Sequence, residues 1–153
     1  MDPATILSNA RAKGIRIATA ESCTGGMVAV ALTAIAGASD VFDRGFVTYS
    51  NAAKSDMLGV SPATLATHGA VSEPVAAEMA KGALTHSTAT LAVSITGIAG
   101  PGGSDHKPEG RVCFGLATPA ATRTETIDFG PLGRAAVRTA ARDHALALLA
   151  SAL

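Results

Sequence analysis

The chain has 153 residues, enough for one domain with a sizeable core, and its 12 Lys+Arg balance its 12 Asp+Glu to a formal net charge of zero. With no basic surplus, no Trp and a single tyrosine, Tyr49, it offers neither the electrostatic footprint nor the stacking platform of a nucleic-acid binder. Cys23 and Cys113 fit no metal spacing and read as reduced thiols. The opening stretch lacks the apolar core of a signal peptide and no run reaches membrane-spanning length, so the expectation is a cytoplasmic protein with no membrane partner.

In chain order, Asp2 and Pro3 mark the N-cap and first position of a short helix that Gly14 would close. Residues 15–20 form a short run with β-branched Ile15, Ile17 and Thr19, a first strand. After Glu21-Ser22-Cys23-Thr24-Gly25-Gly26, the apolar positions Val28, Ala31, Leu32 and Ile35 fall at i, i+3, i+4 and i+7, predicting a helix that Gly37 ends. A second strand is expected over 45–49, a helix over 51–58, another after Ser61-Pro62, and a longer one capped by Ser72 and running to about Leu84. The apolar run 91–96 predicts a strand buried on both faces, leading into Gly97-Ile98-Ala99-Gly100-Pro101-Gly102-Gly103. Runs 111–118 and 122–129, linked around Pro119, predict an antiparallel pair, and a final helix is expected over 133–153. Strands alternating with helices, then a late reversed strand, give an α/β fold: helices on both faces of a mixed, mostly parallel sheet. In such sheets ligands sit at the C-terminal ends of the strands, which selects the loops 21–26, 49–54 and 96–103.

Ser22 lies where a strand meets a helix, with two glycines following. Amides at a helix N-terminus suit an oxyanion or a phosphate, although a serine there is equally a plain cap and the G-x-S-x-G pattern is absent. Lys54 follows the second strand and reaches Ser22 if that strand neighbours the first; a desolvated neutral lysine activates a serine, while by frequency alone it is a solvated helix lysine. No histidine competes: His68, His86 and His144 fall away from the strand ends, and His106 lies in the glycine-rich loop. The segment 96–103 holds four glycines and a proline, without Walker or dinucleotide spacing, and suits close approach of a ligand to backbone amides. Arg134 and Arg138 open the last helix and suit a phosphate or carboxylate, or, from spacing alone, a solvated face or subunit contact. Asp40, Asp43, Asp56, Glu73, Glu78, Asp105 and Glu109 form no metal-like cluster, and Glu21 is the acid placed nearest the chemistry.

Four ordered motifs go further. Residues 20–26 (Ala-Glu-Ser-Cys-Thr-Gly-Gly), 44–51 with Lys54, 68–75 (His-Gly-Ala-Val-Ser-Glu-Pro-Val) and 97–101 (Gly-Ile-Ala-Gly-Pro) together resemble the CinA C-terminal domain family over nearly the whole chain. The resemblance implies a single amidase domain over 1–153, the stand-alone form without the N-terminal molybdopterin-binding-like domain of longer members. It implies a three-layer α/β/α sandwich with a mixed five-stranded sheet, like the anticodon-binding domain. It implies nicotinamide-nucleotide amidase activity, converting nicotinamide mononucleotide and water to nicotinic acid mononucleotide and ammonia, with no cofactor and no metal. Ser22 then takes the nucleophile's place and Lys54 the lysine's, with Tyr49 as a third catalytic residue. Expected to bind substrate are Thr24, Gly25, Gly26, Asn51, Thr96, Gly97, Ala99, Gly100, Arg134 and Arg138. One departure stands out: the loop after Pro101 is a residue shorter than the family pattern, and Glu109 stands where a small apolar residue is expected. Rival readings are a non-catalytic nucleotide-binding module and an oligomerisation module; Ala-rich helices that pack closely between subunits make a homodimer or a higher homo-oligomer the expected assembly.

Overall fold

A computed structural model describes residues 1–104 and 106–153; Asp105, one of the carboxylates considered above, lies outside the described residues. The elements are α1 (Pro3–Ala12), β1 (Ile17–Glu21), α2 (Met27–Thr33), β2 (Phe42–Val47), α3 (Asn51–Leu58), α4 (Pro62–His68), α5 (Glu73–Thr85), β3 (Leu91–Gly97), β4 (Arg111–Ala117), β5 (Thr122–Asp128) and α6 (Arg134–Ser151). The caps follow the sequence signals: Asp2 accepts from Ala4 N and Thr5 N, Ser50 from Ala53 N, and Ser72 from Val75 N.

The five strands run in the order β2-β1-β3-β4-β5, with β2, β1 and β3 parallel and β4 reversed between β3 and β5. Only β4 points the other way, so the sheet is mixed with four strands sharing one direction. Side chains alternate across it. Ile17, Leu91, Val93, Ile95, Val112, Phe114 and Leu116 face one way, into a core shared with α1, α2 and α6. Ala18, Ala20 and Ala92 face the other, where Leu58, Val60, Leu65, Val75 and Met79 of α3, α4, α5 and their links cover them. That second face is lined with small residues, and α5 comes close to it: a Cβ on Gly115 would lie 2.6 Å from Ser94 Oγ, and Ser94 Oγ donates to Ala76 O at 2.6 Å. The result is three layers around two cores.

β1 runs Ile17–Glu21 rather than 15–20 and α6 stops at Ser151 rather than 153, and two further elements differ for identifiable reasons. α2 stops at Thr33, although the apolar period runs on to Ile35. Ile35 packs against the same core from a turn, so periodicity reports burial past the point where the backbone leaves the helix. β2 begins at Phe42 and ends at Val47, earlier than 45–49. It is an edge strand, half exposed, and its Asp43 takes Arg16 and Arg44 as surface partners. Such polar positions hide an edge strand from a search for β-branched runs.

Candidate active site

The parallel pairing sets the site. Glu21 of β1 stands opposite Val47 of β2 and Ile95 of β3, so β1 and β2 end together and put Ser22 and Thr48 beside Thr96, while β3 runs on to Gly97. Ser22 N donates to Ile95 O (2.9 Å) and Thr48 N to Glu21 O (2.9 Å), which prolongs the alignment by one residue.

The Ser22 turn is fixed from behind. Glu21 is wholly buried, and its carboxylate accepts from Thr24 Oγ1 (2.7 Å), Val28 N (2.9 Å) and Ala29 N (3.0 Å). It therefore serves α2 as a cap from a distance, since the cap residue Gly26 has no side chain to do so. Arg138 Nε donates to Cys23 O (3.0 Å) and Arg138 Nη2 to Thr24 O (3.4 Å). Gly25 N closes the turn on Ser22 O at 3.0 Å. With those groups engaged, the N–H groups of Cys23 and Thr24 donate to no other residue among the described ones, the Cys23 N–H having only its own thiol beside it, and Cys23 lines the cleft. An unpaired N–H one residue past a serine at a strand-to-helix turn is the place where an oxyanion is held. Cys23 itself is no nucleophile: burial pushes its thiol up to about 12.

Lys54, one turn into α3, is 2% exposed. Its Nζ lies 3.2 Å from Ser22 Oγ and donates to Thr48 O at 3.1 Å. Among the described residues no carboxylate pairs with it. Burial without a counter-charge favours the neutral amine and lowers the lysine's affinity for its proton below the ordinary 10.5. A neutral amine beside a hydroxyl is a base in place.

The opposite wall is the glycine loop after β3. It bounds a cleft of about 350 Å³ that takes in Ser22, Lys54, Tyr49, Asn51, Thr96 and the loop itself, a size suited to a small ligand. Four carbonyls in a row, from the end of α4 into the α4–α5 link, are tied to their surroundings. Lys107 Nζ donates to His68 O and Val71 O, Ser72 Oγ to Gly69 O, and Thr96 Oγ1 to Ala70 O (2.8 Å). Glu109 Oε1 accepts from Gly102 N (3.1 Å), and its carboxylate fills the space where a Cβ on Gly100, at φ +92°, would stand. Arg134 donates to Gly100 O (2.8 Å) and to the Tyr49 hydroxyl, spanning one end of the cleft.

Of the residues predicted from sequence, Ser22, Lys54, Tyr49, Asn51, Thr96, Gly97, Ala99, Gly100 and Arg134 come together around this cleft. Thr24, Gly25, Gly26 and Arg138 do not line it: Thr24 turns inward to Glu21, Gly25 faces solvent and Arg138 holds the turn from the rear. Glu21, nearest the serine in sequence, points away from it into α2. Lys107 and Val71 line the cleft without having been foreseen. A lone lysine in a glycine-rich loop was the available signal for the first, and the motif 68–75 that contains Val71 was the signal for the second.

A family model described as the CinA C-terminal domain matches residues 3–153, the family that the four motifs resemble. The nicotinamide-nucleotide amidohydrolase PncC of Escherichia coli is 54% identical over 140 residues, covering 91% of this chain and 85% of that protein. A CinA-like protein of Syntrophobacter fumaroxidans is also 54% identical over 140 residues, and there the match spans 33% of the relative's length. The crystal structure of competence/damage inducible protein CihA from Agrobacterium tumefaciens superposes with a TM-score of 0.94 at 48% identity, covering 97% of this chain and 92% of that one. A competence-damaged protein (CinA) superfamily protein from Escherichia coli gives 0.95 at 38% identity, with 99% and 88% covered.

Proposed function

The chain belongs to the CinA C-terminal domain family, and from that premise we propose that residues 1–153 form one nicotinamide-nucleotide amidase domain. It converts nicotinamide mononucleotide and water to nicotinic acid mononucleotide and ammonia through a serine ester. The observation that carries the reading is the buried, carboxylate-free Lys54 amine 3.2 Å from Ser22 Oγ.

Lys54 takes the hydroxyl proton as Ser22 Oγ attacks the carboxamide carbon. The oxygen turns anionic against the Cys23 N–H. As the C–N bond breaks, the Lys54 ammonium gives its proton to the departing nitrogen, and ammonia leaves. Water then yields a proton to Lys54 and its oxygen to the acyl carbon, and Ser22 departs with the proton that Lys54 returns. The pyridine ring rests against Ile98, Ala99 and Val71. The phosphate lies toward the N–H groups of Ala99 and Gly100, which have no acceptor among the described residues, and toward the spare donors of Arg134. Tyr49, aligned by Arg134, closes over the nucleotide.

A cytoplasmic homodimer belongs to the same proposal. The location rests on two free cysteines and the dimer on Val30 and Val47, 66% and 46% exposed on α2 and the edge strand β2. Light scattering reads the dimer. No helix among the described residues is long and apolar enough to cross a membrane.

Ammonia release from nicotinamide mononucleotide by the wild type and by Ser22→Ala, each with a chelator, tests the function. The expected result is turnover that survives chelation and falls at least ~10³-fold with the serine removed. A wild type that binds the nucleotide without turnover would replace the reading with a binding module.

A further inference from the structure

The Thr96 hydroxyl has one proton, and the fold has already committed it. Thr96 Oγ1 donates to Ala70 O at 2.8 Å, in a segment whose other carbonyls are held by Lys107 and Ser72. What Thr96 then has for the cleft it lines is lone pairs alone. Its place is set by the sheet. Glu21 pairs with Ile95, so Ser22 and Thr96 follow as neighbours about 4.8 Å apart across parallel strands. Alternation sends both to the face that carries Ala20 and Ser94, which is also the side from which Lys54 arrives.

We propose that Thr96 is the residue that distinguishes a primary carboxamide from the corresponding carboxylate. On the amidase reading above, each end of the substrate amide has its own partner. The carbonyl oxygen faces the Cys23 N–H, a donor, and the NH2 group faces Thr96 Oγ1, an acceptor. The substrate's N–H donates to Thr96 and is held where Lys54 delivers its proton. The product puts a carboxylate oxygen in the same place. That oxygen has no proton to give and meets the Thr96 lone pairs head on, and Thr96 cannot turn its proton round without leaving Ala70 O unpaired. A site that reads a donor rejects the analogue lacking it, because a buried polar group is left facing its like. Product release is thereby built into the wall that binds the substrate.

Calorimetric titration of the Ser22→Ala protein, whose turnover is expected to be negligible on the time of a titration, with nicotinamide mononucleotide and with nicotinic acid mononucleotide isolates this effect. Thr96→Val and Thr96→Ser are then added to that background, with melting curves to confirm that each folds. The expected result is a preference for the amide that Thr96→Ser keeps. Thr96→Val loses it, the amide weakening ~3- to 10-fold while the acid tightens, so that the two ligands move in opposite directions. A purely structural threonine would weaken both together, and an unchanged amide-to-acid ratio in Thr96→Val would overturn the proposal. Should the wild type release no ammonia, the amidase reading fails; a ratio that stays constant in an active enzyme sinks the Thr96 assignment alone.

Discussion

The Ser22 turn is pinned from inside the protein, by a Glu21 carboxylate with no exposed surface and by Arg138, whereas the glycine loop across the cleft is tied at its rim by Lys107, Glu109 and Arg134. On the function proposed above the first wall carries the chemistry, and a nucleophile displaced by an ångström loses much of its rate. The second wall shapes the substrate's surroundings and is held by side chains that meet solvent, so it changes by substitution without refolding the core. Glu109 falls in this second wall, where its carboxylate takes up an amide, Gly102 N–H, instead of being left unpaired.

Breaking the first wall at its base gives the largest effect. Lys54→Met keeps the stem and removes the amine; activity is expected to fall by ~10³-fold, comparable with Ser22→Ala. Stability is expected to change little, because the buried charge goes and no carboxylate is stranded while Thr48 O loses its donor, a loss of up to ~1–3 kcal/mol, and urea midpoints check this. The same burial has a pH signature. Folded Lys54 gives up its proton below the ordinary 10.5 and the unfolded chain keeps it there, so the unfolded state binds more protons in the window between the two values. Stability contributed by this group therefore rises with pH through that window and levels off above 10.5. Lys54→Met is expected to lack that rise in a series of melts.

Glu21→Gln attacks the rear of the same wall. An amide cannot accept from Thr24 Oγ1, Val28 N and Ala29 N together, so the variant is expected to lose ~1–3 kcal/mol. Its kcat is expected to fall more than its KM rises, because the turn rather than the substrate contacts has been loosened. Steady-state kinetics beside a denaturation curve separates the two. The smallest effects belong to the rim. Lys107→Met and Glu109→Gln are expected to stay within ~1 kcal/mol of the wild type while raising KM a few-fold at unchanged kcat. A fall in kcat for either would erase the contrast between the walls.

Most of this was readable in the residues, for identifiable reasons. The α3 range 51–58 coincides with its sequence expectation because Ser50 caps it and Gly59, at φ +68°, ends it. The strands β3, β4 and β5 were legible within a residue at each end, because β3 is an apolar run that gives way to the glycine loop and β4 and β5 lie between Gly110, Pro119 and Gly130. Ser22, Lys54 and the glycine loop were findable because parallel sheets put ligands at their C-terminal edge. The role of Arg138 was hidden because it acts on backbone carbonyls far away in sequence, which no spacing reveals. Glu21 was hidden for a related reason: a strand residue next to Ser22 in sequence points to the other face of the sheet, and its partners are amides of the following helix.

The central claim, that a neutral Lys54 serves Ser22, is tested most directly by the pH dependence of kcat/KM for nicotinamide mononucleotide, which reports ionisation in the free enzyme. The account predicts a rate that climbs with pH and levels off at an apparent pKa below 10.5, with the climb absent from the residual activity of Lys54→Met. A rate that falls over the same range, or a climb that persists without the lysine, would contradict it.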